Sequence, residues 1–218
     1  WENEATCRWH NEVIAQWCAL APQRFLGYAA VFPNERVIEQ LESARSLGLR
    51  GVGELHPGVQ GFHSDSPAWC ELADWCARHH WPVNFHTTRT HGDHPAAVAT
   101  PMEDYLAMIG NHPTVKFVFA HWGADLPQLL QKAPPAHVYY DCSASPLLYG
   151  MAHFRRVIDL VGAEQVLYGS DYPLRIYPRK ERRPEMRRFI DQIREEAGLS
   201  EAETEKLFYR NFQTLHPT

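Results

Sequence analysis

"VKFVFAHWG", residues 115–123, decides the fold of this chain. Val115, Phe117, Val118, Phe119 and Ala120 leave no solvated face alternating with a buried one. A strand with this pattern is covered on both faces, as in a parallel sheet packed between helices. The run stops at His121. Parallel α/β folds place their chemistry at the carboxyl ends of such strands, where the βα loops converge.

Outward from this stretch the pattern recurs. "RFLGYAAVF" (24–32), closed by Pro33, reads as a strand, and "LRGVGEL" (49–55) as another, ending at Glu54 and His56. "WPVNFHT" (81–87) ends at His86, "VYYDCS" (138–143) near Asp141, and "QVLYGSD" (165–171) at Asp171. Helical patterns lie between them. The first twenty residues carry Ala5, Trp9, Val13 and Trp17 at i, i+4 spacing, and core packing is expected of the Trp residues here and at 69, 75 and 81. Asn34 is expected to cap a helix with Val37, Ile38, Leu41 and Leu47, stopped by Gly48. Ser66-Pro67 opens one that runs to about His80. Thr100-Pro101-Met102-Glu103 reads as a capping box, a helix follows Asp125, and another spans 151–161. Pro184 begins a helix that Gly198 ends, and Ser200 to Glu203 is a second capping box before the terminal helix. Strand alternating with helix predicts one α/β domain over residues 1–218.

With 218 residues, 44% of them hydrophobic, the chain can bury a sizeable core. A net charge of -5 and a pI near 6.2 argue against nucleic acid or an acidic membrane as partner. No apolar run approaches the roughly 20 residues a membrane helix needs, and no leader is visible. The five cysteines form no CxxC pair and read as reduced core thiols, which points to the cytoplasm.

The polar residues at strand ends set the chemistry. One histidine there is usually a satisfied core residue; His86, His121 and Asp171 on separate strands are harder to read so. Imidazole nitrogen and carboxylate oxygen suit Zn²⁺ and similar ions, and a cation would offset the cost of burying Asp171.

"GVGELHP" (51–57), "VNFHT" (83–87), "VKFVFAHWGADLP" (115–127), "VYYDCSASPLLY" (138–149) and "VLYGSDYPL" (166–174) together resemble the amidohydrolase-related metal-dependent hydrolases, the aminocarboxymuconate-semialdehyde decarboxylase-like branch of the amidohydrolase superfamily. "LFYRNFQTLH" (207–216) is similar to that family's C-terminal helix. The resemblance implies a (β/α)8 TIM barrel with one divalent metal, Zn²⁺ or else Mn²⁺, at its C-terminal mouth. It implies His86 and Asp171 as metal ligands, and His121 with Asp171 as the groups that activate a metal-bound water. The activity it implies is hydrolysis or non-oxidative decarboxylation of a small carboxylated substrate, with no nucleic-acid or membrane partner, and it is compatible with a homodimer.

The family opens on a strand bearing an HxH metal-binding pair, and this sequence contains no HxH. "RFLGYAAVF" aligns with the third strand, so the first one or two strands are missing from this chain and the domain is expected to be N-terminally incomplete. Arg175 is a candidate for gripping a substrate carboxylate, Trp122 for lining the pocket and His56 for touching the substrate. The competing account of Arg175 is a solvated face, since "RIYPRKERRPEMRR" is rich in arginine. His91, Asp93 and His94 fall in a long loop over the mouth, Glu54 could bridge a metal or bond to nearby loops, and Asp141 reads as a hydrogen-bonding strand end. Two rival functions remain: a TatD-like phosphodiesterase, and a shortened barrel that acts as an interaction subunit.

Overall fold

The computed structural model of the chain describes residues 3–87, 98–145, 147–177, 179–180 and 182–217. Two compact units divide it, one up to Val118 and one from Phe119 onward.

In the first unit, Asn3 caps α1 (Glu4–Leu20) by accepting from the Thr6 N–H. The helix buries Cys7 and Asn11, whose amide exchanges two hydrogen bonds with the main chain of Ala30 at 2.8 and 2.9 Å. The expected stripe therefore faces outward: Trp9 is 63% exposed and Trp17 60%. Its i, i+4 spacing was genuine, but the Asn11 clamp rotates the opposite side of the helix inward. "RFLGYAAVF" forms a single parallel bridge, Ala29 to Val52, rather than a full strand. Asn34 does not cap the next helix; its Oδ1 accepts from the Arg36 N–H in a turn, and α2 (Val37–Ser46) begins after Arg36. Gly48, at φ 85°, ends α2 as anticipated.

β1 (Val52–Leu55) is followed by a short turn of helix, α3 (Pro57–Gln60), and by α4 (Pro67–His79). β2 (Val83–Phe85) pairs with β1 in parallel, Val52 opposite Val83 and Leu55 opposite Phe85. α4 turns Trp69, Leu72, Trp75 and Cys76 inward, and the fully buried Trp69 meets Phe85 edge-on at 5.4 Å. α5 (Met102–Asn111) begins at the predicted place without its capping box, because the Thr100 hydroxyl accepts instead from the Gly58 N–H at 3.0 Å. β3 (Phe117–Phe119) carries the stretch that opened the sequence reading, and all three of its residues are buried.

The second unit holds α6 (Leu126–Leu130), β4 (Val138–Asp141), α7 (Ala152–Val161) and β5 (Val166–Leu167). It closes with α8 (Met186–Glu196), α9 (Glu201–Glu205), a π-helical turn Lys206–Arg210 and α10 (Asn211–Leu215). Sheet neighbours follow chain order, β1 beside β2 and β2 beside β3, then β3 beside β4 and β4 beside β5. β4 and β5 run parallel, with Tyr140 opposite Val166. Asn211 anchors the terminal helix by donating to the Ala163 and Val166 carbonyls at 2.7 Å each. Among the described residues no helix is long and apolar enough to cross a membrane. All five cysteines are free thiols.

The capping box at Ser200 forms as the sequence predicts. Glu203 accepts from the Ser200 N–H at 2.9 Å and from Arg155 of α7 at 2.8 Å, and these bonds hold its carboxyl near pH 2. A carboxylate whose folded-state pKa is depressed stabilises the protein above its unfolded value and ceases to do so as pH falls through the folded one. Glu203→Gln is expected to cost about 1 kcal/mol at neutral pH. The difference from the parent should shrink as pH falls from the ordinary glutamate range to about 2, and urea unfolding at stepped pH reads it. A pH-independent difference would show that the charge is not what matters.

Candidate metal and acid–base site

In the first unit, the end of β1 and the end of β2 bring two histidines and an acid together. Glu54 Oε1 lies 3.2 Å from His86 Nδ1. An ionised carboxylate only accepts, so that contact makes Nδ1 the protonated nitrogen of His86. The His56 ring stacks on His86, with centroids 4.8 Å apart and planes 20° from parallel. The main chain at His86 is held from two sides: its N–H donates to the Leu55 carbonyl at 2.8 Å, and its carbonyl accepts from the Tyr105 hydroxyl at 2.7 Å.

His56 is buried, 6% exposed, and its Nδ1 accepts from the Val59 N–H at 3.3 Å. Gln60 ties the same turn down, accepting from the His56 N–H at 2.8 Å and donating to the Val31 carbonyl at 2.9 Å. Burial, with the His86 ring beside it, holds the His56 imidazole below its ordinary pKa.

In the second unit, His121 stands two residues past the end of β3. Its Nδ1 lies 3.3 Å from the Ser143 carbonyl and 3.0 Å from the Ser143 hydroxyl, and its main-chain N–H donates to that hydroxyl at 3.2 Å. The Ser143 carbonyl is satisfied when Nδ1 carries the proton, whereas the hydroxyl can accept from Nδ1 or donate to it, so Ser143 holds this edge of the ring and leaves Nε2 for proton exchange. His121, Trp122, Gly123 and Ala124 all have positive φ, between 52° and 68°. Each non-glycine residue in that region costs on the order of 1–3 kcal/mol, which surrounding packing must offset. Gly123 is required here, because a Cβ would stand 2.7 Å from the Tyr140 ring. Trp122 is enclosed, 0% exposed, edge-on to Phe154 at 4.7 Å, with its indole N–H donating to the Ser145 hydroxyl at 2.9 Å.

Asp141, the last residue of β4, accepts from the Ser143 N–H at 2.9 Å, the hydrogen-bonding part expected of it. Gly169, two residues past β5, lets the chain pass close beside it, since a Cβ there would lie 2.9 Å from Asp141 Oδ1. Asp171 is exposed, at φ 57°, four residues beyond the end of β5. The desolvation cost anticipated for it from the sequence is therefore not incurred. The chain leaves the sheet early, at Tyr168, whose N–H is taken by the Leu207 carbonyl at 2.8 Å. Arg175 is exposed as well. His91, Asp93 and His94 lie outside the described residues.

Sequence reasoning passed over Ser143, Tyr105 and Gln60, which position the three histidines. Ser143 was the most findable of them, a hydroxyl two residues past a strand-end acid. The donor present fits a divalent cation: with Nδ1 of His86 facing Glu54 at 3.2 Å, its Nε2 is an imidazole nitrogen of the kind that zinc and manganese both accept.

The amidohydrolase family model matches residues 2–211, and the chain belongs to that family. No curated protein matches it. Among solved structures it is similar to an uncharacterized TIM-barrel protein from Bordetella bronchiseptica, with 21% identity over 94% of this chain and 71% of that one, at a TM-score of 0.73. It is similar also to 2,6-dihydroxybenzoate decarboxylase from Rhizobium, with 18% identity over 96% and 76% and a TM-score of 0.67. A third is dihydroxybenzoic acid decarboxylase from Polaromonas sp. JS666 with bound manganese and 2-nitroresorcinol, with 18% identity over 97% and 74% and a TM-score of 0.67. The fold is thus that of the α/β TIM-barrel amidohydrolases, and the chain spans 71 to 76% of the length of these three structures.

Proposed function

We propose that this protein is a divalent-metal-dependent enzyme that decarboxylates or hydrolyses a small carboxylated, aromatic-derived compound. The observation that carries the reading is the orientation of two strand-end histidines, His86 by Glu54 and His121 by Ser143, in a chain of the amidohydrolase family. The similarity to dihydroxybenzoate decarboxylases favours decarboxylation over hydrolysis.

In this reading His86 and Asp171 hold the metal, Zn²⁺ or Mn²⁺. A cation held there supplies Lewis acidity, drawing electron density from an oxygen of water or substrate. His121 moves the proton. In decarboxylation the bond to the carboxylate carbon breaks and its electron pair stays on the substrate carbon; His121, having first taken a proton from solvent on Nε2, hands it to that carbon as CO₂ leaves. In hydrolysis the same Nε2 accepts a proton from water. Arg175 pairs with a substrate carboxylate, His56 contributes an apolar ring face beside His86, and Trp122 acts through its hold on the His121 turn.

Metal content, with CO₂ release from a panel of hydroxybenzoates, tests this. About one ion per chain is expected, falling to background in His86→Ala/Asp171→Ala, together with turnover of at least one panel member. A parent protein that takes up neither Zn²⁺ nor Mn²⁺ would sink the reading.

A further inference from the structure

We infer that Glu54 is a positioning residue that fixes the tautomer and ring plane of His86 for metal coordination, an inference that rests on the metal reading above. The parts lie within one unit. Glu54 Oε1 is 3.2 Å from His86 Nδ1, so the imidazole proton sits on Nδ1 and the lone pair on Nε2. Rotation about the ring axis is opposed on one face by the stacked His56 ring, 4.8 Å away. The backbone at His86 is itself fixed, by Leu55 through its N–H and by Tyr105 through its carbonyl.

A carboxylate on the far nitrogen of a ligand histidine raises the basicity of the coordinating one and removes the cost of choosing a tautomer. The Glu54 side chain is 34% exposed and the His86 side chain 25%, so solvent competes only partly for this contact. Backbone constraints place Glu54 with equal care. Gly53, at φ 146°, would bring a Cβ within 2.6 Å of Asn84 Cβ, so only glycine allows β1 to lie this close to β2 just before the acid. Glu54 and His86 are 32 residues apart, and the parallel register of Leu55 with Phe85 is what makes them neighbours.

The test separates orientation from coordination. In metal-free protein, the ¹⁵N shifts of His86, assigned by their loss in His86→Ala, should report the Nδ1–H form. Glu54→Ala should abolish that bias and weaken Zn²⁺ binding, measured by competition with a chromophoric chelator, by about 10- to 100-fold. Glu54→Gln keeps an accepting oxygen and is expected to retain the Nδ1–H form and most of the affinity. An unchanged tautomer and unchanged affinity in Glu54→Ala would overturn the inference. So would a Glu54→Gln protein that keeps the tautomer yet binds Zn²⁺ as weakly as Glu54→Ala, because Glu54 would then act on the ion directly. If the parent shows the tautomer bias but takes up no Zn²⁺, the metal reading fails, and with it the purpose assigned to Glu54.

Discussion

His121→Ala is expected to lower turnover by about 10²- to 10⁴-fold while leaving metal content unchanged. The expectation rests on what holds the ring. Its Nδ1 edge is held against the Ser143 carbonyl and hydroxyl at 3.3 and 3.0 Å, so Nε2 is the nitrogen left to exchange protons. The backbone beneath it is strained, at φ 55°, and is secured by its own N–H bond to Ser143. A side chain serving only to fill the core would not need two polar contacts on one edge of its ring. Alanine keeps the backbone contact and removes the imidazole alone, so a fall in kcat with normal metal content isolates proton transfer. Full turnover in metal-loaded His121→Ala would remove His121 from the chemistry. Loss of metal with loss of turnover would instead move it to the ligand shell.

Trp122→Ala is expected to destabilise the protein by about 3–5 kcal/mol, among the largest single-residue effects a core can show. The indole is fully enclosed, meets Phe154 at 4.7 Å and His153 at 5.4 Å, and satisfies the Ser145 hydroxyl at 2.9 Å. Removing it opens a cavity and leaves Ser145, itself 0% exposed, without the indole donor. Trp122 also holds φ 65° within the run of left-handed residues after β3, so relaxation of that run should carry His121 away from Ser143. Trp122→Phe keeps most of the burial and forfeits the hydrogen bond, for which a loss of about 1–3 kcal/mol is expected. Urea unfolding gives both numbers. A cost below about 1 kcal/mol for the alanine variant would mean that the ring is not part of the core of its unit.

Glu54→Ala and His121→Ala probe different failures: the first should weaken metal binding, the second should leave it alone. Their separation matters because a reading built from histidines alone treats every strand-end imidazole as equivalent. The structure distinguishes them by partner. His86 faces a carboxylate, His121 a serine, and His56 a backbone N–H.

Much of this was determined by the sequence itself. Unbroken apolar runs placed the strands at 52–55, 83–85, 117–119, 138–141 and 166–167 within a few residues, because burial on both faces leaves no alternation to misread. His86 and His121 could be named from position alone, one directly after a strand and the other one residue further on. The Ser200–Glu203 box formed as written, since both partners lie within one turn. Signals fulfilled by local chain geometry survive folding.

Tertiary structure decided the rest. Trp9 and Trp17 kept their helical spacing and faced solvent, because Asn11 found Ala30, 19 residues away, and that pairing set which side of α1 turned inward. Thr100 gave up its cap for Gly58, 42 residues distant. Asp171 stood exposed where a buried acid was expected. The pairings that orient the candidate site, Glu54 with His86 and Ser143 with His121, span 32 and 22 residues. Each depends on how neighbouring strands are aligned along their length. A single sequence records the residues that can pair; strand register and long-range packing select the pairs that form.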